Sequence, residues 1–171
     1  MQTSESATVE LPAAPTTLEI RSLLPGEDAT AFRTLNEEWI TRYFVLEAKD
    51  IETLNHPEEK IIRKGGQIFM VFGNGEPVGC VALIPMPNGV YEVSKMAVSP
   101  AMRGLGIGRK LLEYTVAQAR RLGAKSLFLG SSTKLKNAVH LYESIGFRHV
   151  DPATLPDMHY SRADVFMEMA L

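Results

Sequence analysis

Apolar and polar residues alternate along Leu18-Glu19-Ile20-Arg21-Ser22-Leu23, the period-two pattern of a half-buried strand, which Pro25-Gly26 ends. The period then lengthens. Ala31, Leu35, Trp39 and Ile40 recur at helical spacing, behind Asp28 as a cap, in a helix running to about Tyr43. A second helical stretch covers about Lys49 to Lys64, interrupted near His56-Pro57 because proline lacks an N–H. Gln67 to Phe72, Pro77 to Ile84 and Val90 to Val98 read as three consecutive strands, joined by the hairpin turns Asn74-Gly75 and Asn88-Gly89. From Gly106 to Leu122 the residues Leu111, Leu112, Thr115, Val116 and Ala119 restore helical spacing, and Gly123 stops it. A short strand at Lys125 to Leu129 follows. Ser131-Ser132-Thr133 supplies caps for a helix to about Ile145, with Leu135, Ala138, Val139 and Tyr142 inward and Gly146 at its end. Phe147 to Val150 and Ala163 to Met169 read as closing strands. The order β-α-α-β-β-β-α-β-α-β-β, without internal repeats, describes a mixed α/β layer structure.

Length and composition narrow the class. A chain of 171 residues with 45% hydrophobic content can build one core, so residues 16–171 are expected to form a single domain. Residues 1–15 contain Pro12 and Pro15, lack a basic start and an apolar run, and read as a flexible leader rather than a signal peptide. The absence of any 18-residue apolar run argues against a membrane-spanning helix and makes a cytoplasmic location the expectation. A net charge of −2 argues against nucleic acid as a partner. The single cysteine, Cys80 in Val78-Gly79-Cys80-Val81-Ala82-Leu83, reads as a buried structural thiol and excludes an internal disulfide. His56, His140, His149 and His159 show no metal-ligand spacing, so no metal is expected.

The strand Tyr91 to Val98 runs into Arg103-Gly104-Leu105-Gly106-Ile107-Gly108-Arg109, where three alternate glycines open a helix. Glycine permits close backbone approach, and the first N–H groups of a helix carry partial positive charge without internal partners. The combination makes an anion cradle flanked by Arg103 and Arg109. Nine bases against one acid in residues 95–136 surround it, whereas residues 27–59 hold nine acids against three bases. Taken alone, the glycines leave several ligands open, including a dinucleotide, although G-x-G-x-G is not the Rossmann spacing and no Gly-Lys-Ser/Thr ending is present.

The segment Arg103 to Gly108 matches an (Arg/Gln)-x-x-Gly-x-(Gly/Ala) motif, and Asn137-Ala138-Val139-His140-Leu141-Tyr142-Glu143-Ser144-Ile145-Gly146-Phe147 follows about thirty residues later. The two together resemble the GNAT superfamily of acetyl-CoA-dependent N-acetyltransferases, over roughly residues 17–170. The resemblance implies a mostly antiparallel central sheet flanked by helices. It also implies acetyl-CoA as co-substrate and acetyl transfer to a primary amine by direct attack in a ternary complex. The implied cofactor contacts are backbone groups of Arg103, Gly104, Leu105, Gly106, Ile107, Gly108 and Arg109 on the pyrophosphate. Met96, Ala97 and Val98 would contact the pantetheine on a splayed strand edge, and Asn137 and Tyr142 would contact it from the later segment. Lys134 and Lys136 are within reach of the 3′-phosphate.

The resemblance also implies catalytic roles for residues at the family's positions and a small-molecule or peptide amine as acceptor. An acceptor amine is protonated at neutral pH, and freeing it costs on the order of 4–5 kcal/mol. Glu92, five residues before Ala97, is the candidate general base, directly or through water. The Met96 N–H would hold the developing oxyanion. Tyr142 is the candidate general acid for the departing thiolate. The acidic block hints at a cationic acceptor. Asp157, His159, Tyr160, Arg162 and Asp164 lie where such substrates often contact relatives. A CoA-binding sensor or partner-binding module without turnover is the alternative. Exposed strand edges are compatible with a homodimer.

Overall fold

A computed structural model of the chain describes residue 15 and residues 17–154 and 162–171. Asp157, His159 and Tyr160 therefore lie outside the described residues, as does most of the expected leader. The elements follow the expected order: β1 (Leu18–Ser22), α1 (Thr30–Tyr43), α2 (Ala48–Asn55), β2 (Gln67–Gly73), β3 (Glu76–Pro85), β4 (Val90–Val98), α3 (Ile107–Arg121), β5 (Ser126–Ser131), α4 (Lys136–Ile145), β6 (Arg148–His149) and β7 (Val165–Ala170). They form one seven-stranded sheet of order β1-β2-β3-β4-β5-β7-β6. Only the β4–β5 pair is parallel; every other pair is antiparallel.

The sheet has a core on each face because successive strand residues point to opposite sides. Phe69 and Val71 join Leu111, Leu112 and Val116 of α3 on one face. Ile68 and Met70 join Phe32 and Ile40 of α1 and Leu54 of α2 on the other. Cys80 is fully buried in the second core, as its apolar neighbours predict.

Three local readings change. The buried stripe of α1 is Phe32, Asn36 and Ile40, while Ala31, Leu35 and Trp39 are only half-buried. Asn36 hides the pattern: a polar residue sits inside because its amide donates to Phe32 O at 2.9 Å and to Cys80 Sγ at 3.3 Å. The stretch after α2 is not a continued helix but a single π turn, Glu58–Ile62, behind Pro57. The first closing strand shrinks to the two residues of β6.

One irregularity in β4 positions the site. Cys80 pairs with Ala97 and Ala82 with Ser94, so Val81 alone faces Lys95 and Met96. This is a β-bulge, and Lys95 occupies it at φ 54°. The extra residue reverses the phase of the strand. Before it, Tyr91 and Val93 pack on the α3 side; after it, Met96 and Val98 do, and Ala97 turns to the α1 side.

Candidate active site

β4 and β5 pair only at Val90–Ser126, Tyr91–Leu127 and Glu92–Phe128. Beyond Glu92 the strands part. β5 continues against β7, and the β5-side edge of β4 from Val93 to Val98 faces no strand among the described residues. Two cavities occupy the gap. An inner one of about 130 Å³ is walled by Asn36, Trp39, Ile40, Phe44, Glu92, Ser132 and Arg162, among others. An outer groove of about 620 Å³ runs along Met96, Ala97 and Val98 to the glycine turn, with Lys134, Lys136 and Asn137 opposite. Trp39, Met96, Leu135 and Tyr142 line both cavities. That junction is where a group in the groove meets a group in the inner cavity.

The glycine turn enters α3 through Gly104 at φ 83° and Gly106 at φ 79°, left-handed conformations that side chains resist. The first bond into the helix runs from the Lys110 N–H to Gly106 O at 3.2 Å. The amides of Gly104 through Arg109 donate to no other described residue. With the helix dipole behind them, they form an anion site.

The flanking arginines behave differently from the sequence expectation. Arg103 turns its guanidinium away from the turn: Nη2 donates to Glu38 Oε2 at 2.6 Å and Nε to Val98 O at 3.2 Å, and the group lies over Trp39 at 4.6 Å. Its Nη1 is buried without an acceptor among the described residues, which the cation–π contact partly offsets. Arg103 thus clips α1 to the end of β4, and its backbone N–H donates to Pro100 O at 3.4 Å, so, against the sequence expectation, the unengaged amides begin at Gly104. Arg109 Nη2 donates to Ser144 Oγ at 2.7 Å. Leu105 is exposed and outside the groove lining.

A charged network closes the inner cavity. Asp50 is fully buried and Lys95 is 3% exposed; their Oδ1 and Nζ are 2.9 Å apart. Arg162 donates to Asp50 Oδ2 at 2.7 Å and Oδ1 at 2.8 Å, and to Glu47 Oε2 at 2.9 Å. The Glu47 N–H donates to Asp50 Oδ2 at 2.9 Å as half of a capping box for α2. Four donors saturate the Asp50 carboxylate. Burial alone would raise its pKa, but Arg162 and Lys95 outweigh burial and hold it down at about 2. Within this network, among the described residues, the two cations Lys95 and Arg162 face the two carboxylates of Asp50 and Glu47.

The sequence model of the acetyltransferase (GNAT) family matches residues 31–147. The chain belongs to that family. An uncharacterized N-acetyltransferase of Escherichia coli K12, YjgM, is 37% identical over 92 residues, which are 52% of this chain and 55% of YjgM. The chain thus spans about half the length of that curated relative. An acetyltransferase structure of the GNAT family from Staphylococcus aureus Mu50 superposes with a TM-score of 0.80 at 21% identity, covering 90% of this chain and 99% of its own. The N-acetyltransferase PaiA of Thermoplasma acidophilum, in complex with coenzyme A, superposes at 0.69 with 16% identity, covering 91% and 100%.

Against this GNAT fold the expected site residues sort clearly. Glu92, half-buried where the strands part, lines the inner cavity, and Met96 and Tyr142 line the junction. Burial pushes the Tyr142 phenol up to about 12. Asp164 does not reach the cavity lining; its carboxylate takes the Thr133 N–H at 2.8 Å and hydroxyl at 2.9 Å. Much of the acidic block is engaged within the chain: Glu27 with Arg21, Glu37 with Arg33, Glu38 with Arg103, Glu52 with Lys60 and Glu58 with Arg63. Glu92 is the one carboxylate lining the inner cavity among the described residues. The hint of a cationic acceptor therefore rests on Glu92 and not on the block.

Sequence reasoning missed Asp50, Glu47 and Lys95 as site residues. One signal was available. A lysine between Val93 and Ala97, at an inward position of an apolar strand, requires a buried partner.

Proposed function

We propose that the protein transfers an acetyl group from acetyl-CoA to a primary amine of a small molecule or peptide, by direct attack in a ternary complex. Residues 16–171 serve as the one catalytic domain in this reading. The observation that carries it is the parting of β4 and β5 beside the undonated amides of Gly104 to Arg109. An anion cradle and an open strand edge then share one groove, which suits a ligand with a pyrophosphate, an amide-bearing arm and a thioester. The PaiA complex with coenzyme A supports the same ligand.

In this reading the backbone from Gly104 through Leu105 and Ile107 to Arg109 takes the pyrophosphate, without the Arg103 N–H, which is held by Pro100 O. Met96, Ala97 and Val98 pair with the pantetheine amides, and Asn137 meets them from α4. The Met96 N–H polarises the thioester carbonyl and holds the oxyanion, a contribution on the order of 3–4 kcal/mol for such donors. Glu92 takes a proton from the acceptor ammonium, directly or through water. The freed amine attacks the carbonyl carbon, the C–S bond breaks, the nitrogen sheds its second proton, and the departing sulfur takes up one proton while the hydroxyl of Tyr142, the candidate general acid, is hydrogen-bonded to it.

A thiol-release assay with acetyl-CoA against amines, amino acids, amino sugars, polyamines and peptides tests this, with Glu92→Gln run beside the wild type. Release with at least one acceptor class is expected, and Glu92→Gln flattens the rising limb of the pH–rate profile. Acetyl-CoA binding without release across the panel would favour a sensor. Preference for a nicotinamide dinucleotide would overturn the acyl-transfer reading.

A further inference from the structure

We propose that Asp50 and Lys95, with Arg162, are positioning residues that hold the β4 bulge and so aim the Met96 amide at the thioester carbonyl. The proposal rests on the acetyl-transfer reading above. Lys95 occupies a left-handed conformation, φ 54°, which a long side chain adopts only when its surroundings impose it. The imposing contact is visible. Its Nζ is anchored on a carboxylate that is itself fully buried and held by three other donors, the Glu47 N–H and two of Arg162. The anchor reaches β4 from two other parts of the fold: α2, through Asp50, and the segment before β7, through Arg162, which itself lines the inner cavity.

The location gives the strain a use. The bulge is the point at which β4 changes phase, and Met96 is the residue next to it. A regular strand would alternate through Val93, Lys95 and Ala97 on one face and carry Met96 to the opposite side from the one it occupies. The ion pair therefore selects, between two phases of the same strand, the one that places Met96 at the junction of the two cavities.

Two substitutions separate positioning from charge. Lys95→Gly removes the ammonium but adopts positive φ without strain, so the bulge persists. Lys95→Met keeps the length of the side chain, loses the ion pair and retains the strain. In unliganded protein, backbone NMR shifts are expected to report positive φ at residue 95 in wild type and Lys95→Gly, and its loss in Lys95→Met. With acetyl-CoA labelled with carbon-13 at the carbonyl, binding is expected to shift that resonance downfield in the first two proteins only. kcat is expected to fall on the order of 10- to 100-fold in Lys95→Met, with KM for acetyl-CoA changed less than about threefold, and Lys95→Gly recovers most of it. Asp50→Glu, which keeps the carboxylate, is expected to retain more kcat than Asp50→Asn when each is assayed well below its own Tm.

Equal kcat losses in Lys95→Gly and Lys95→Met overturn the proposal in favour of a charge role. An unchanged backbone conformation in Lys95→Met overturns it as well. Wild-type protein that neither binds nor turns over acetyl-CoA overturns the function reading instead, while the NMR comparison still decides whether the pair holds the bulge.

Discussion

Tyr142 shows how burial sets the limits of a side chain's chemistry. With its phenol at about 12, it keeps its proton throughout the neutral range and is always ready to donate. A thiol titrates near 8.5, so outright proton transfer from Tyr142 to a free thiolate is uphill by about 5 kcal/mol. In the proposed reaction its help to the departing sulfur is then a hydrogen bond, not a completed transfer. Tyr142→Phe is expected to lower kcat by about 10- to 100-fold, near the low end of acid–base contributions, with acetyl-CoA affinity within about twofold of wild type. Steady-state kinetics beside isothermal titration decides it, and unchanged kcat removes Tyr142 from the chemistry. Tyr142 and Met96 were legible in the sequence because each sits in a short local pattern. The Asp50–Lys95 pair was not: Lys95 between Val93 and Ala97 signals a buried partner, but Asp50 lies 45 residues away and alone reads as one more surface charge.

The glycine turn and α3 act at the scale of an element. Gly106 is the N-cap of α3 and holds φ 79°, ψ 9°. A methyl group there would meet nothing within 4 Å, so the cost of Gly106→Ala is conformational and not steric crowding. That cost is on the order of 1 kcal/mol, or a fall of about 2–4 °C in Tm for a chain of this size. The functional loss should be larger, because relaxing φ swings the following amides away from a common focus. KM for acetyl-CoA is expected to rise on the order of tenfold with kcat little changed, and an unaltered KM argues against the turn as the phosphate site. Element types and order were readable from hydrophobic period and turn residues. The bulge was not, since one extra residue in a strand leaves no mark on composition and is fixed only by pairing with β3. The buried stripe of α1 was misplaced because Asn36, a polar residue, lies inside it.

For the whole molecule, Asp50 ties together α2, β4 and the approach to β7, so its titration is a property of the fold. Its folded pKa of about 2 lies below the ordinary value of 3.8. A depressed carboxyl contributes stability that is fully present above about pH 4 and lost as pH falls toward 2, here about 2 kcal/mol. Urea unfolding between pH 2 and 6 is expected to show this extra acid loss in wild type relative to Asp50→Asn. Parallel curves for the two proteins would mean that Asp50 does not titrate in this window.

The parting of β4 and β5 has one more consequence. A sheet normally exposes hydrogen-bonding edges at its two rims, but here a third lies in the interior, an unfinished seam left open for a guest. Any extended chain with spaced amide groups satisfies it, whether a cofactor arm or a strand from another molecule. In the proposed reading, the cofactor arm does more than bring a substrate: it completes the sheet. Cofactor supply and the completeness of the sheet are then two aspects of one geometry.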